Sequence, residues 1–333
     1  MNRLVEKQKE VPMPRYKPDH SEVEKLCKEY QVGELLTIDG ELGGLFNVNL
    51  KITTSSGQYV LRIHSGLSLE EHLHAEKILL KKLRGNGVPA LTPLDTKEGC
   101  YYTKLHNRIV QLTPFVESAP FRFSSEQVYQ CGQVLRNFHD VLKIEKAIPV
   151  PLWSNYPSES VLKEGMEIFT DQQQKIHDDF LIKEAKKLYQ SVMAQWLPKE
   201  ASLPKVVIHG DWHPWNLLFN EGNEINNILD FDFLQRGERI HDIAYFLWAI
   251  RKTEGYEESA KHFLKGYGSL TGIEVEMLPV AMARASLFFI CTASFVSNPV
   301  LELQVQLKDQ KPFIEWVLSQ EGKACVRRWP MLR

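Results

Sequence analysis

At 333 residues with 43% hydrophobic content, the chain is long enough for two sub-domains with their own cores, and it is neither a disordered nor a fibrous polypeptide. A formal net charge of -2 and an isoelectric point near 6.6 leave no broad electrostatic footprint for nucleic acid or an anionic membrane. Five scattered cysteines, without a Cys-x-x-Cys pair, suggest neither a disulfide framework nor a zinc site and fit a reducing cytoplasm.

The N-terminus carries Arg3, Glu6, Lys7, Lys9 and Glu10 before any apolar run. That leaves no room for a signal-peptide core and predicts a solvated arm over residues 1–20. From Gly40, the pair Gly43-Gly44 gives way to apolar residues at period two, Phe46, Val48, Leu50 and Ile52. This reads as strand, glycine turn and strand, and successive amides in such a turn are able to cradle an anion. In Tyr59-Val60-Leu61-Arg62-Ile63, strand alternation puts Val60 and Arg62 on one face. Leu69, Leu73, Glu76, Leu80 and Leu83 then follow at helical spacing, an apolar stripe with one carboxylate in it. A buried acid needs a partner, and Arg62 is the candidate. The alternative is an acid at the edge of the stripe and an ordinary edge-strand charge.

After the loop signal Asn86-Gly87-Val88-Pro89, Tyr101-Tyr102 and Ile109 to Leu112 predict further strands of a small sheet. Thr113, Phe115 and Val116 end it. The apolar rhythm from Glu126 to Leu142 predicts a long helix, in which His139 is a packing residue. Ser158 to Trp196 is helical in periodicity, with mixed charges expected on a solvated face. At its entrance Trp153 and Tyr156 are candidates to wall a small-molecule pocket. The apolar segment Leu278 to Val296 holds Pro279 and Arg284, so it predicts a buried helix and not a membrane span.

The densest chemistry lies between. His209-Gly210-Asp211-Trp212-His213-Pro214-Trp215-Asn216 is followed by two short apolar strands around Asn220 to Asn223, and then by Asp230-Phe231-Asp232. Phosphoryl transfer needs a carboxylate to orient an attacking hydroxyl and oxygen ligands to hold magnesium against nucleotide phosphates. Asp211, Asn216 and Asp230 supply those groups. A metal hydrolase using His209, Asp211 and His213 is the rival, but it leaves Asn216 and Asp230 without a role.

With the His-Gly-Asp-x-x-x-x-Asn loop and the Ile228-Leu229-Asp230-Phe231-Asp232 segment, the chain resembles the aminoglycoside phosphotransferase and choline kinase superfamily. The His-Pro-x-Asn-Leu-Leu-Phe variant and Arg239 to Ala244 are most similar to its homoserine-kinase-like subgroup. The resemblance implies an α+β, bilobal protein-kinase-like fold. A small antiparallel sheet-plus-helix lobe (21–113) would bind nucleotide, and a larger mainly helical lobe (114–333) would carry catalysis and the acceptor.

It further implies ATP and Mg2+ as cofactors and transfer of the γ-phosphate to a hydroxyl of a small molecule, with neither nucleic acid nor membrane as partner. Val60 would roof the adenine, and the backbone of Thr113, Phe115 and Val116 would read its edge. Arg62, standing where the commoner family residue is Lys, would clamp phosphates and be fixed by Glu76. Asp211 would be the catalytic carboxylate, with Asn216 and Asp230 as magnesium ligands and Asp232 as a metal or acceptor-amine partner. An ATP-binding pseudokinase is the other reading. Asp242 is expected to cap the next helix and, by the resemblance, to brace the catalytic loop. Only nine residues separate Asp232 from Asp242, too few for a phosphorylatable activation segment, and Gly210 replaces the arginine that would read one.

Overall fold

The computed structural model describes residues 15–44, 47–66, 69–145, 148–172 and 179–329. Residues 1–14 of the expected arm, and Phe46 of the expected strand, lie outside them. The chain forms two compact units. The first comprises the chain to Pro120 with Ala147–Ser154 and Leu218–Leu234, and the second the remainder. The division is therefore not the single cut expected after residue 113.

In the first unit, α1 (His20–Glu29) precedes β1 (Leu35–Glu41), β2 (Val48–Thr54) and β3 (Gly57–Ile63). The helix α2 (Glu70–Gly85), β4 (Thr103–Leu105) and β5 (Arg108–Pro114) complete the small lobe. The sheet runs β1-β2-β3-β5-β4, antiparallel throughout. Every second residue of β2 is buried, so Val48, Leu50 and Ile52 meet Val23, Leu26 and Cys27 of α1 in one core. α1 begins at His20, the last residue of the expected arm. Asp19 caps it in a reciprocal capping box with Glu22, and Arg15 donates to Gly44 O at 3.1 Å, so the chain from Arg15 onward is tied down. The strand expected at Tyr101-Tyr102 begins instead at Thr103, because Tyr101 turns inward to Glu76.

The hairpin of β7 (Leu217–Phe219) and β8 (Ile225–Ile228) turns at Asn223, whose φ of 63° is the left-handed region that Asn tolerates. Isolated bridges Ala90↔Ile228 and Ala119↔Phe219 pair its strands with the earlier part of the chain. These backbone pairings place residues 218–234 in the first unit, and periodicity alone does not announce them.

The second unit is mainly helical: α3 (Ser125–Leu142), α4 (Glu159–Gln172), α5 (Asp179–Glu200), α6 (Ile240–Ala249), α7 (Tyr256–Tyr267), α8 (Gly272–Thr292), α9 (Pro299–Leu318) and α10 (Gln320–Arg328). β6 (Lys205–Ile208) pairs with β9 (Gln235–Glu238). The apolar α8 is the central post, packed by α4, α5, α6, α9 and α10. It is long and apolar enough to span a bilayer, yet 83% of that stretch is buried inside the protein, which accounts for its composition.

Candidate active site

The candidate catalytic loop leaves β6 at His209. Gly210 has φ +82°, a conformation L side chains rarely adopt, so glycine between His209 and Asp211 is a backbone requirement. The fully buried Asp242 pins the turn by accepting from His209 N at 2.8 Å and Gly210 N at 2.9 Å. His139 lies 3.0 Å from the same carboxylate and shares its other nitrogen with Tyr267 Oη at 2.9 Å. Burial opposes ionisation of Asp242, but the His139 hydrogen bond holds its pKa below the ordinary value. It makes no cap, since α6 starts at Ile240 without a side-chain cap. His139 is thus more than packing, and its acid partner Asp242 lies 103 residues further along the chain, outside any local pattern.

A turn of 3-10 helix at Pro214–Asn216 carries Asn216 back to Asp211. Its Nδ2 donates to Asp211 O and to Oδ2, each at 3.0 Å, and His213 Nε2 lies 3.3 Å from Oδ2. On the other oxygen, Asn155 Nδ2 donates to Oδ1 at 2.8 Å, and the same nitrogen donates to Tyr245 Oη at 3.1 Å. Burial raises the pKa of Asp211, but the His213 hydrogen bond and charge outweigh it and hold the carboxyl down at about 2. Asp211 is an ionised, fixed acceptor. Asn155 and Tyr245 escaped the sequence reading; the faint signals were a polar Asn between two aromatics and Tyr245 on the face of α6 three residues past Asp242.

In the first unit, Asp230 stands at φ 60°, an uncommon conformation for a residue other than glycine and one that marks a constrained turn. Arg62 Nη2 donates to Asp230 Oδ1 at 2.9 Å and to Asp232 Oδ2 at 2.6 Å. Burial works against the guanidinium charge, but the two carboxylates raise its pKa. Asn47 Nδ2 also donates to Asp232 Oδ2, at 2.8 Å, while its Oδ1 accepts from Ser65 N. Arg62 and Asn47 thus both bond the same oxygen of Asp232, Oδ2.

The expected Arg62–Glu76 ion pair is not formed. Glu76 accepts from Tyr101 Oη at 2.9 Å, and burial first, then the charge of Asp232, pushes its carboxyl up to about 8. Strand and helix periodicity put both side chains on inward faces, but two carboxylates from the Asp-Phe-Asp turn take the guanidinium.

Gly44 lies in the glycine turn, where a Cβ would come within 3.0 Å of Asn47 O; Gly43 accepts from Asn49 Nδ2 at 2.9 Å. Val60 and Thr113 are register partners on β3 and β5. Phe115 N is used by Gln58 O at 2.9 Å, so of the three predicted hinge residues its amide is already spent. Val116 follows the strand. Trp153 belongs to the first unit and is half-buried. In the second, Tyr156 is half-buried and its hydroxyl donates to Glu238. His209, Asp211 and His213 do not converge as metal ligands: the His209 ring packs between Phe138 and Trp212, and among the described residues no group of three His, Cys, Asp or Glu side chains is placed to hold a metal.

A sequence model for the phosphotransferase enzyme family matches residues 42–278, which include the glycine turn, Arg62, the catalytic loop and the Asp-Phe-Asp segment. The chain belongs to that family. The phosphotransferase is 25% identical over 288 residues to the homoserine kinase of Gluconobacter oxydans, covering 81% of this chain and 85% of that enzyme. It is 25% identical over 331 residues to the homoserine kinase of Rhizobium meliloti, covering 93% and 89%. Among solved structures, a microcompartment-associated aminopropanol kinase superposes with a TM-score of 0.64 at 15% identity, over 92% of this chain and 100% of that one. The AMP-bound spectinomycin phosphotransferase APH(9)-Ia gives 0.62 at 15% identity, over 93% and 98%. These likenesses establish the kinase-like fold of the family. The phosphotransferase is an ATP-dependent small-molecule kinase that moves the γ-phosphate to a hydroxyl.

Proposed function

We propose that the acceptor is a small amino alcohol of the homoserine kind, that Mg2+ accompanies ATP, and that Asp211 is the catalytic carboxylate. The observation that carries this reading is the setting of Asp211, ionised and fixed through both oxygens beside Asn216. The names of the curated relatives support the acceptor class.

Each unit offers an oxygen donor of the kind a hard dication takes: the Asp230 carboxylate in the first, and in the second the amide oxygen of Asn216, whose nitrogen is committed to Asp211. When bound, magnesium neutralises charge on the β- and γ-phosphates. Arg62 adds a second cation for phosphate oxygens, and the Gly43-Gly44 backbone offers a close approach.

Asp211 accepts the hydrogen bond of the acceptor hydroxyl and aims its oxygen at the γ-phosphorus. The new O–P bond forms as the bond to the β-γ bridging oxygen breaks, and ADP departs. A carboxylate with a pKa of about 2 is a weak base, so the proton moves late, onto Asp211 and then to water. Free thiols at Cys27, Cys100, Cys131, Cys291 and Cys325 support a cytoplasmic setting.

Purified protein with Mg-ATP, tested for ADP release against homoserine, aminopropanol, choline, sugars and aminoglycosides, tests the reading. Selective release with an amino alcohol is expected, and release only with a sugar or an aminoglycoside overturns it.

A further inference from the structure

We infer that Asn155 is a second residue that touches the acceptor hydroxyl, donating to its oxygen while Asp211 accepts its proton. The inference rests on the assignment of Asp211 as the catalytic carboxylate, and it follows from the hydrogen bonds already present there.

Both oxygens of Asp211 already carry a hydrogen bond. Asn216 Nδ2 donates to Oδ2 at 3.0 Å, where His213 Nε2 also stands at 3.3 Å. Asn155 Nδ2 donates to Oδ1 at 2.8 Å and to Tyr245 Oη at 3.1 Å. A hydroxyl that enters between Asp211 and one of its donors replaces one direct bond by two of its own.

The three donors are not equally able to yield. Asn216 is held twice, since the same Nδ2 also bonds Asp211 O at 3.0 Å in a 3-10 turn that begins with proline. The His213 ring sits between those of Trp215 and Tyr245, with centroids 5.4 Å and 6.3 Å away. Asn155 lies on an irregular stretch before α4, half-buried, and its amide already bridges two groups, Asp211 Oδ1 and Tyr245 Oη at 3.1 Å.

If Asn155 withdraws by the width of one oxygen atom, the acceptor hydroxyl fits between it and Oδ1. The hydroxyl then donates its one proton to Asp211 and accepts from Asn155 through one lone pair, and its second lone pair is free for the phosphorus. No hydrogen bond is lost in the exchange. A substrate with hydrogen or methyl in place of the hydroxyl leaves Asn155 and Asp211 bonded to each other and gains nothing, which makes Asn155 part of what selects an alcohol.

The test uses Asn155→Leu, which keeps the size and removes the donor, and Asn155→Ala. Calorimetry compares homoserine with its deoxy counterpart α-aminobutyrate, and aminopropanol with propylamine. The wild-type protein should prefer the alcohol of whichever pair it binds. Both variants should reduce that preference about tenfold or to nothing, and lower kcat at least as much, with KM for ATP unchanged.

A fall in kcat with the preference intact would make Asn155 only a support for Asp211 and overturn the contact; so would wild-type kcat in both variants. If the wild-type protein phosphorylates neither alcohol, the acceptor class is what fails. The slow hydrolysis of ATP, in which water stands in for the acceptor, then reads Asn155 by itself, and an unchanged rate in Asn155→Leu overturns the contact.

Discussion

Glu76 hydrogen-bonds Tyr101 at 2.9 Å and leaves Arg62 to Asp230 and Asp232. The strand cation and the helix acid therefore work separately. Arg62→Ala should raise KM for ATP and lower kcat, because it removes a phosphate cation and uncovers two carboxylates. Glu76→Gln should change ATP turnover little, and the two losses should add to within about 0.5 kcal/mol in steady-state kinetics. A double variant far milder than that sum would mean that the pair does form during turnover.

The raised pKa of Glu76 also makes a stability prediction. Its folded value of about 8 lies above the ordinary carboxyl value of 4.5, so the folded protein binds the extra proton. This contribution is fully present below about 4.5 and is lost as pH climbs through about 8. Urea unfolding of the wild-type protein should therefore show stability declining over that window, and Glu76→Gln should flatten the decline. An equally steep decline in the variant would place the titrating group elsewhere.

Asp211→Asn should lower kcat by about 10²–10⁴-fold while leaving ATP affinity nearly unchanged, because the carboxylate acts on the acceptor and not on the nucleotide. With its pKa near 2, Asp211 should contribute no acid limb to the kcat profile between pH 5 and 8. Full activity in Asp211→Asn would dismiss the mechanism.

Asp230→Asn keeps a residue that tolerates the left-handed backbone at φ 60° and removes only the charge. Titration calorimetry should find ATP binding that no longer strengthens with added magnesium. Magnesium-dependent affinity at the wild-type level would move the metal ligand elsewhere.

Asp242→Ala should cost about 3–5 kcal/mol in unfolding free energy, since it strands two buried amides and His139. Chemical denaturation measures it. A loss under about 1 kcal/mol would mean that the loop turn holds without its brace.

The family was legible because the His-Gly-Asp loop and the Asp-Phe-Asp segment carry their side chains within short, ordered stretches, where spacing is informative. The α3 and α8 periodicities fall where helices form, for the same local reason. What resisted reading was whatever depends on a partner distant in sequence. Periodicity placed Arg62 and Glu76 inward but not which acid reaches the guanidinium. Asn155 and His139 meet Asp211 and Asp242 across 56 and 103 residues, and no window of sequence holds both members of either pair. The capping box of α1, Asp19 to Glu22, is by contrast a local signal, and it straddles the end of the arm expected over residues 1–20.

The burial of Asp242 bears on how the enzyme is controlled. In kinases governed by covalent modification, the loop is held by a charge that another enzyme adds and removes. Here the restraining charge is a genetically encoded carboxylate with no exposed surface, beyond the reach of any modifying enzyme. The turn at His209-Gly210 is therefore set at folding, by a charge the chain itself carries.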